Sequence, residues 1–125
     1  MKDFAPYQQS LELKELGFDE PCLATIDQTE YIHIKGTKYP IRGAMCYMDT
    51  PCPTYSQAFR FFREKYDLFC WIEKFHKDET YIFQIPPANF TKIQGHFETY
   101  EEAELACLEK LIEIVEENEL NKQSN

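Results

Sequence analysis

The sequence predicts an α+β fold: antiparallel hairpins and three helices in the order αββ-αββ-α, packed as one domain with the helices on the sheet. Two observations point there. Three stretches carry helix start or stop signals: Pro6 with Gly17, Thr54 with Gln57, and Thr99 with Glu102. Between them lie short runs rich in β-branched and aromatic residues, split by polar turns: CLATI with YIHIK, and LFCWIEKF with YIFQI. A chain of 125 residues fits one domain and can bury a core without metals or disulfides. The domain is expected to span 1–125, with an ordered core over about 6–119 and a frayed tail at 120–125.

In chain order, Pro6 opens the first helix, because its missing N–H costs nothing in the first turn. The helix takes YQQSLELKEL and stops at Gly17, with Phe18 as the hydrophobic contact after the cap. The runs at 22–26 and 31–35, separated by DQTE, predict a hairpin. GTKYPIRG (36–43) reads as loop, AMCYM (44–48) as a further short strand, and DTPCP (49–53) as a turn. Thr54 and Gln57 form a capping box for a helix over 55–66. At about 100° per residue, Tyr55, Phe59, Phe62 and Tyr66 fall within roughly 60° and make its core face. Phe61 lies outside that stripe. It is either covered by a wide core face or an exposed aromatic. The run 68–75 is apolar on both faces in its first half, which predicts a central strand. YIFQI pairs back to it and Pro86–Pro87 ends the strand. After a connection at 88–98, Thr99 and Glu102 cap a last helix over 100–119. KELGFDEPCLATIDQTEYIHI resembles REKYDLFCWIEKFHKDETYIFQI, as a duplicated unit would, or as any two helix-hairpin units do.

The net charge of −9 is unevenly placed. Residues 101–119 hold eight Glu and one Lys, or −7; the rest holds 14 acids and 12 bases, or −2. Such a surface disfavours nucleic acid and anionic membranes. Leu105, Leu108, Leu111, Ile112 and Val115 span roughly 120° of the helix and form its buried face. Glu102, Glu109, Glu113 and Glu116 share another face within about 60°. The first-turn Glu residues suit the helix dipole; Glu116, Glu117 and Glu119, in what is expected to be the last turn, oppose it. The stripe is either a solvated face or a docking surface for a basic partner. In the second case the partner-binding residues are Glu109, Glu113, Glu116 and Glu117, with Phe61 as an aromatic contact.

Catalytic signals are lacking. His33, His76 and His96 have no metal-ligand spacing, and no Ser lies in a GxSxG context. The five Cys form no CxxC pair, which speaks against zinc. Cys22, Cys70 and Cys107 sit in apolar runs and are expected to act as small buried hydrophobes, with the free thiols pointing to a reducing compartment. Cys70 and His76 on one strand would be too far apart to bond. The basic loop with Lys35, Lys38 and Arg42 lacks Walker spacing. The stretch MKDFAPYQQS has no apolar run and is not expected to act as a signal peptide, and no run of about 18 apolar residues occurs in the sequence. No catalytic, cofactor or metal residues are assigned.

TYSQAFRFFREKYDLFCWIEKF and TYEEAELACLEKLIEIVEE resemble a family of small uncharacterised proteins from Bacteroidetes genomes and their phages. That family combines an SQAFRWFREK-type helix, a hairpin with Tyr-rich strands and a closing YEEAELACL-type helix. The resemblance covers residues 7–118 and implies a phage or prophage origin and a bacterial cytoplasm. It brings no activity or site residues. The expectation is a small non-enzymatic interaction protein acting on a host or phage protein. The alternatives are a ligand-binding protein or enzyme with an aromatic and His pocket, and a self-assembling structural subunit.

Overall fold

A computed structural model describes residues 3–34, 50–77, 79–86 and 96–123. The loop at 36–43, the strand expected at 44–48 and most of the connection at 88–98 lie outside the described residues. The fold class is α+β, with three helices and two small antiparallel sheets among the described residues. The elements are α1 (Tyr7–Glu15), β1 (Ala24–Ile26), β2 (Ile32–Ile34), β3 (Thr50–Cys52), α2 (Tyr55–Tyr66), β4 (Trp71–Phe75), β5 (Thr80–Gln84) and α3 (Tyr100–Gln123). The chain divides into two compact units, 1–58 and 59–125, and each has its own sheet rather than a share in one.

In the first unit the strand order is β2-β1-β3, all antiparallel. α1 ends as expected. Gly17 takes φ 97°, its amide donates to the Lys14 carbonyl at 3.1 Å, and the Phe18 amide donates to the Leu13 carbonyl at 3.0 Å. That is a Schellman cap, and the left-handed residue is the glycine. β3 was expected to be a turn because it contains Pro51. It forms a strand that lies at the sheet edge among the described residues, where a residue without an N–H is tolerated. Ala24, Ile26 and Cys52 are buried together, with Phe4, Tyr7, Ile32 and Ile34 packed around them. The chain before α1 is stitched to β3 and the start of α2. The Ala5 amide donates to the Pro53 carbonyl at 2.9 Å, and the Tyr55 amide to the Asp3 carbonyl at 3.1 Å. The Ser10 hydroxyl and the Cys52 thiol both donate to the Ala5 carbonyl, at 3.3 and 3.2 Å.

Of the Thr54–Gln57 box, the bond from the Gln57 amide to Thr54 Oγ1 is made at 3.2 Å, and the Gln57 side-chain nitrogen donates to the Pro21 carbonyl at 2.8 Å, tying the helix start to a residue distant in sequence.

In the second unit β4 and β5 form a two-stranded sheet, with Trp71 opposite Gln84 and Phe75 opposite Thr80. The central position expected for 68–75 is not found. Residues 68–70 are outside the strand, among the described residues β4 pairs only with β5, and Trp71 and Phe75 are 49% and 39% exposed. An apolar run shows that two faces can be covered, and not that they are. α3 packs on the hairpin. The Tyr81 and Phe97 backbones exchange hydrogen bonds at 2.8 and 2.9 Å, Phe97 stacks on Phe83, and Tyr100 meets Tyr81 edge-on at 5.9 Å. Leu108, Leu111, Ile112 and Val115 are buried as the periodicity requires, and Leu105 is half-buried. On α2 the buried face is turned toward Ala58 and Phe61, and Phe59 of the expected stripe is only half-buried. Phe61 and Phe62 are both buried with rings 5.4 Å apart, whereas Tyr66 is only half-buried.

Candidate functional site: the outer face of the last helix

The site is one face of α3. Its start is anchored locally: the Glu102 amide donates to Thr99 Oγ1 at 3.1 Å, and the Thr99 hydroxyl donates to Glu102 Oε1 at 3.1 Å. From there Glu102, Glu109, Glu113 and Glu116 follow a line on the side away from the buried stripe, and all four are exposed. Lys110 Nζ meets Glu113 Oε1 at 3.3 Å, a surface pair worth about 0.2–1 kcal/mol. The lysine stem lies largely covered while its head reaches the carboxylate.

The helix is longer than expected and continues to Gln123. Glu116 and Glu117 therefore sit more than a turn before its end. The dipole penalty expected for them is much reduced, because the dipole acts within the last turn. The extension also shows a residue that sequence reasoning placed in a frayed tail. Leu120 is 63% exposed and, at about 100° per residue, falls on the same line as Glu109, Glu113 and Glu116. The signal was available, since the spacing 109, 113, 116, 120 repeats the helical step. Glu117 is exposed but lies off the line, roughly 60° from its centre.

Phe61 does not belong to this surface. It is 6% exposed, its ring meets Tyr66 edge-on at 5.8 Å, and Lys65 Nζ sits 5.5 Å from its centroid. A side chain so covered by its own helix and core offers a partner nothing, and the expectation of an aromatic contact there is corrected.

A half-open cleft of about 500 Å³ lies beside the end of the buried stripe, lined by Lys65, Tyr66, Asp67, Leu68, Val115, Asn118 and Glu119. Glu119 continues the angular position of Ile112 and Val115, and it is charged where the core runs out. The lining includes one tyrosine and no histidine or tryptophan.

The three histidines have separate settings. His33 Nε2 lies 3.0 Å from Asp27 Oδ2 in the β1–β2 hairpin. His96 Nδ1 lies 2.7 Å from the Thr80 hydroxyl and its ring meets Phe75 edge-on at 4.9 Å. His76 is exposed in the β4–β5 turn. Among the described residues no group of three His, Cys, Asp or Glu is placed to hold a metal. Asp27 is a strongly perturbed carboxyl. The Thr29 hydroxyl, then His33 and the Tyr31 amide, hold it well below the ordinary carboxylate range. These bonds organise a turn in which Glu30 takes φ 66°, so their role is structural.

Compared with known proteins, the chain matches no family model, no curated protein and no solved structure. Among the described residues no helix is long and apolar enough to cross a membrane.

Proposed function

We propose that this is a small non-enzymatic interaction protein that docks a basic protein partner on the outer face of α3. The carrying observation is the exposed line Glu109, Glu113, Glu116 ending in exposed Leu120. A row of carboxylates closed by one apolar side chain is complementary to a cationic surface with an apolar anchor point. Glu117 broadens the field beside the line. The phage or prophage origin and the bacterial cytoplasm rest on the family resemblance alone, and the free thiols agree with a reducing compartment.

The test is capture from host lysate at low salt, followed by titration of whatever is recovered. Glu109→Lys, Glu113→Lys and Glu116→Lys together should abolish binding, because like charges set against each other cost several kcal/mol. Wild-type affinity should fall as salt rises. An unchanged affinity in the triple variant overturns the reading.

Self-assembly is favoured by one observation: Trp71 and Phe75 stand exposed on the same face of β4, with Phe69 beside them at 47% exposure. A symmetric dimer in sedimentation that Trp71→Ser dissolves would support that second reading. A monomer at all concentrations removes it.

A further inference from the structure

The cleft of about 500 Å³ lies within the second unit, where the end of α2 meets the last turns of α3. That volume suits a small organic molecule. One wall is the run from Lys65 to Leu68; the other is Val115, Asn118 and Glu119. These α3 positions are centred roughly 130° around the helix from the Glu109–Glu113–Glu116 line, so the cleft is a separate site. The chain turns sharply as it leaves α2. Asp67 takes φ 56°, and the Leu68 amide donates to the Phe62 carbonyl at 3.1 Å. This turn sets Asp67 and Leu68 side by side on the cleft wall.

The electrostatics of the lining favour a cation. Each wall brings one carboxylate, Asp67 and Glu119, and neither makes a side-chain hydrogen bond or ion pair among the described residues. The end of α2 adds the negative pole of its dipole, and the Asn118 amide oxygen adds an acceptor. The cation of the lining, Lys65, has its Nζ over the Phe61 and Tyr66 rings, at 5.5 and 5.4 Å. Each carboxylate adjoins an apolar side chain: Asp67 precedes Leu68, and Glu119 lies one turn beyond Val115. A hard metal ion needs about six oxygen ligands, and among the described residues no group of three His, Cys, Asp or Glu is placed to hold one. Two carboxylates with apolar surface beside them match an organic cation with a charge at each end and methylenes between.

We propose that this cleft binds an aliphatic di- or polyamine. One ammonium group pairs with Asp67 and another with Glu119, and the methylene chain lies along Leu68 and Val115. The Asn118 amide oxygen takes a further N–H. Charge-assisted hydrogen bonds fix the two ends, and burial of the methylenes selects a chain over a bare ion. The site is independent of what the outer face of α3 binds.

The experiment titrates the full-length, nitrogen-15-labelled protein with putrescine and spermidine at constant ionic strength and follows the amide resonances. Saturable shifts are expected, concentrated at residues 65–68 and 115–119. Propylamine, with one ammonium group, should bind about tenfold or more weakly, because one charged hydrogen bond is missing. Asp67→Asn and Glu119→Gln should each weaken putrescine by a similar factor of about ten. Asparagine tolerates the left-handed backbone at 67, so that variant keeps the turn. Glu109→Gln with Glu113→Gln should leave putrescine binding unchanged, which separates the cleft from general attraction to an acidic chain and from the outer face. The wild-type titration needs no variant to fold. Four results overturn the proposal: shifts that do not saturate, shifts spread along the outer face of α3, propylamine or magnesium chloride matching putrescine, or glutarate binding at 65–68 in place of the amines.

Discussion

Among the described residues, the fully buried side chains of the first unit are led by Leu13, Pro53, Cys52 and Ser10; those of the second are led by Phe62, Phe83, Ile85, Leu108, Leu111, Ile112, Val115 and Cys107. Among the described residues the first unit's fully buried side chains are smaller, and backbone stitching accompanies them. The Ala5 carbonyl takes two side-chain donors, and the Ala5 and Tyr55 amides pair with carbonyls distant in sequence. The second unit relies on side-chain burial along one helix face and one strand. The lesson is that two halves of one chain can use different sources of order: hydrogen-bonded closure of short strands in one, and area removed from water in the other.

The largest expected effect comes from attacking burial in the second unit. Leu111→Ala should cost roughly 2–5 kcal/mol, read by denaturant unfolding. Hydrogen exchange should show protection lost first from α3, β4 and β5. An equal loss across α1 and β1–β3 would mean the halves do not differ as described. A smaller effect is expected from the backbone of the first unit. Gly17→Ala places a Cβ at φ 97° and should cost about 1–2 kcal/mol, visible as fraying of the end of α1. No change in stability would show that the cap contributes little. The finest distinction uses pH. Asp27 has a depressed folded-state pKa, so the stability it contributes is present above the ordinary carboxylate value of about 4 and is lost as pH falls below it toward the folded value. The melting temperatures of wild type and Asp27→Asn should therefore differ at neutral pH and converge in acid. A gap that widens in acid would reverse the assigned sign.

The parts of the fold that were legible in the sequence depend on neighbours within about one helical turn. Gly17 ends α1 because glycine alone enters the left-handed region freely, and Thr99 with Glu102 opens α3 because their groups reach each other locally. The buried stripe of α3 and its opposite Glu line both follow from the 3.6-residue period. The end of α3 was misplaced because polar residues at 118–123 look like a tail, and this hid Leu120 from the candidate site. Phe61 could not be assigned from α2 alone, since whether its ring is covered depends on the width of the core face. For 68–75 the apolar pattern on both faces was real, but one edge and the Trp71 ring stay open among the described residues.

By itself the sequence determined the α+β class, the helix starts, the buried face of α3 and the local concentration of negative charge. Only the tertiary structure decided that the hairpins build two sheets, that Pro51 sits in a strand, and that Phe61 is inside. The reason is physical. Caps and periodicity are set by groups a few residues apart, which the chain presents in every context. Coverage of a face and pairing of an edge require segments far apart in sequence to meet, and that outcome belongs to the packing of the whole unit.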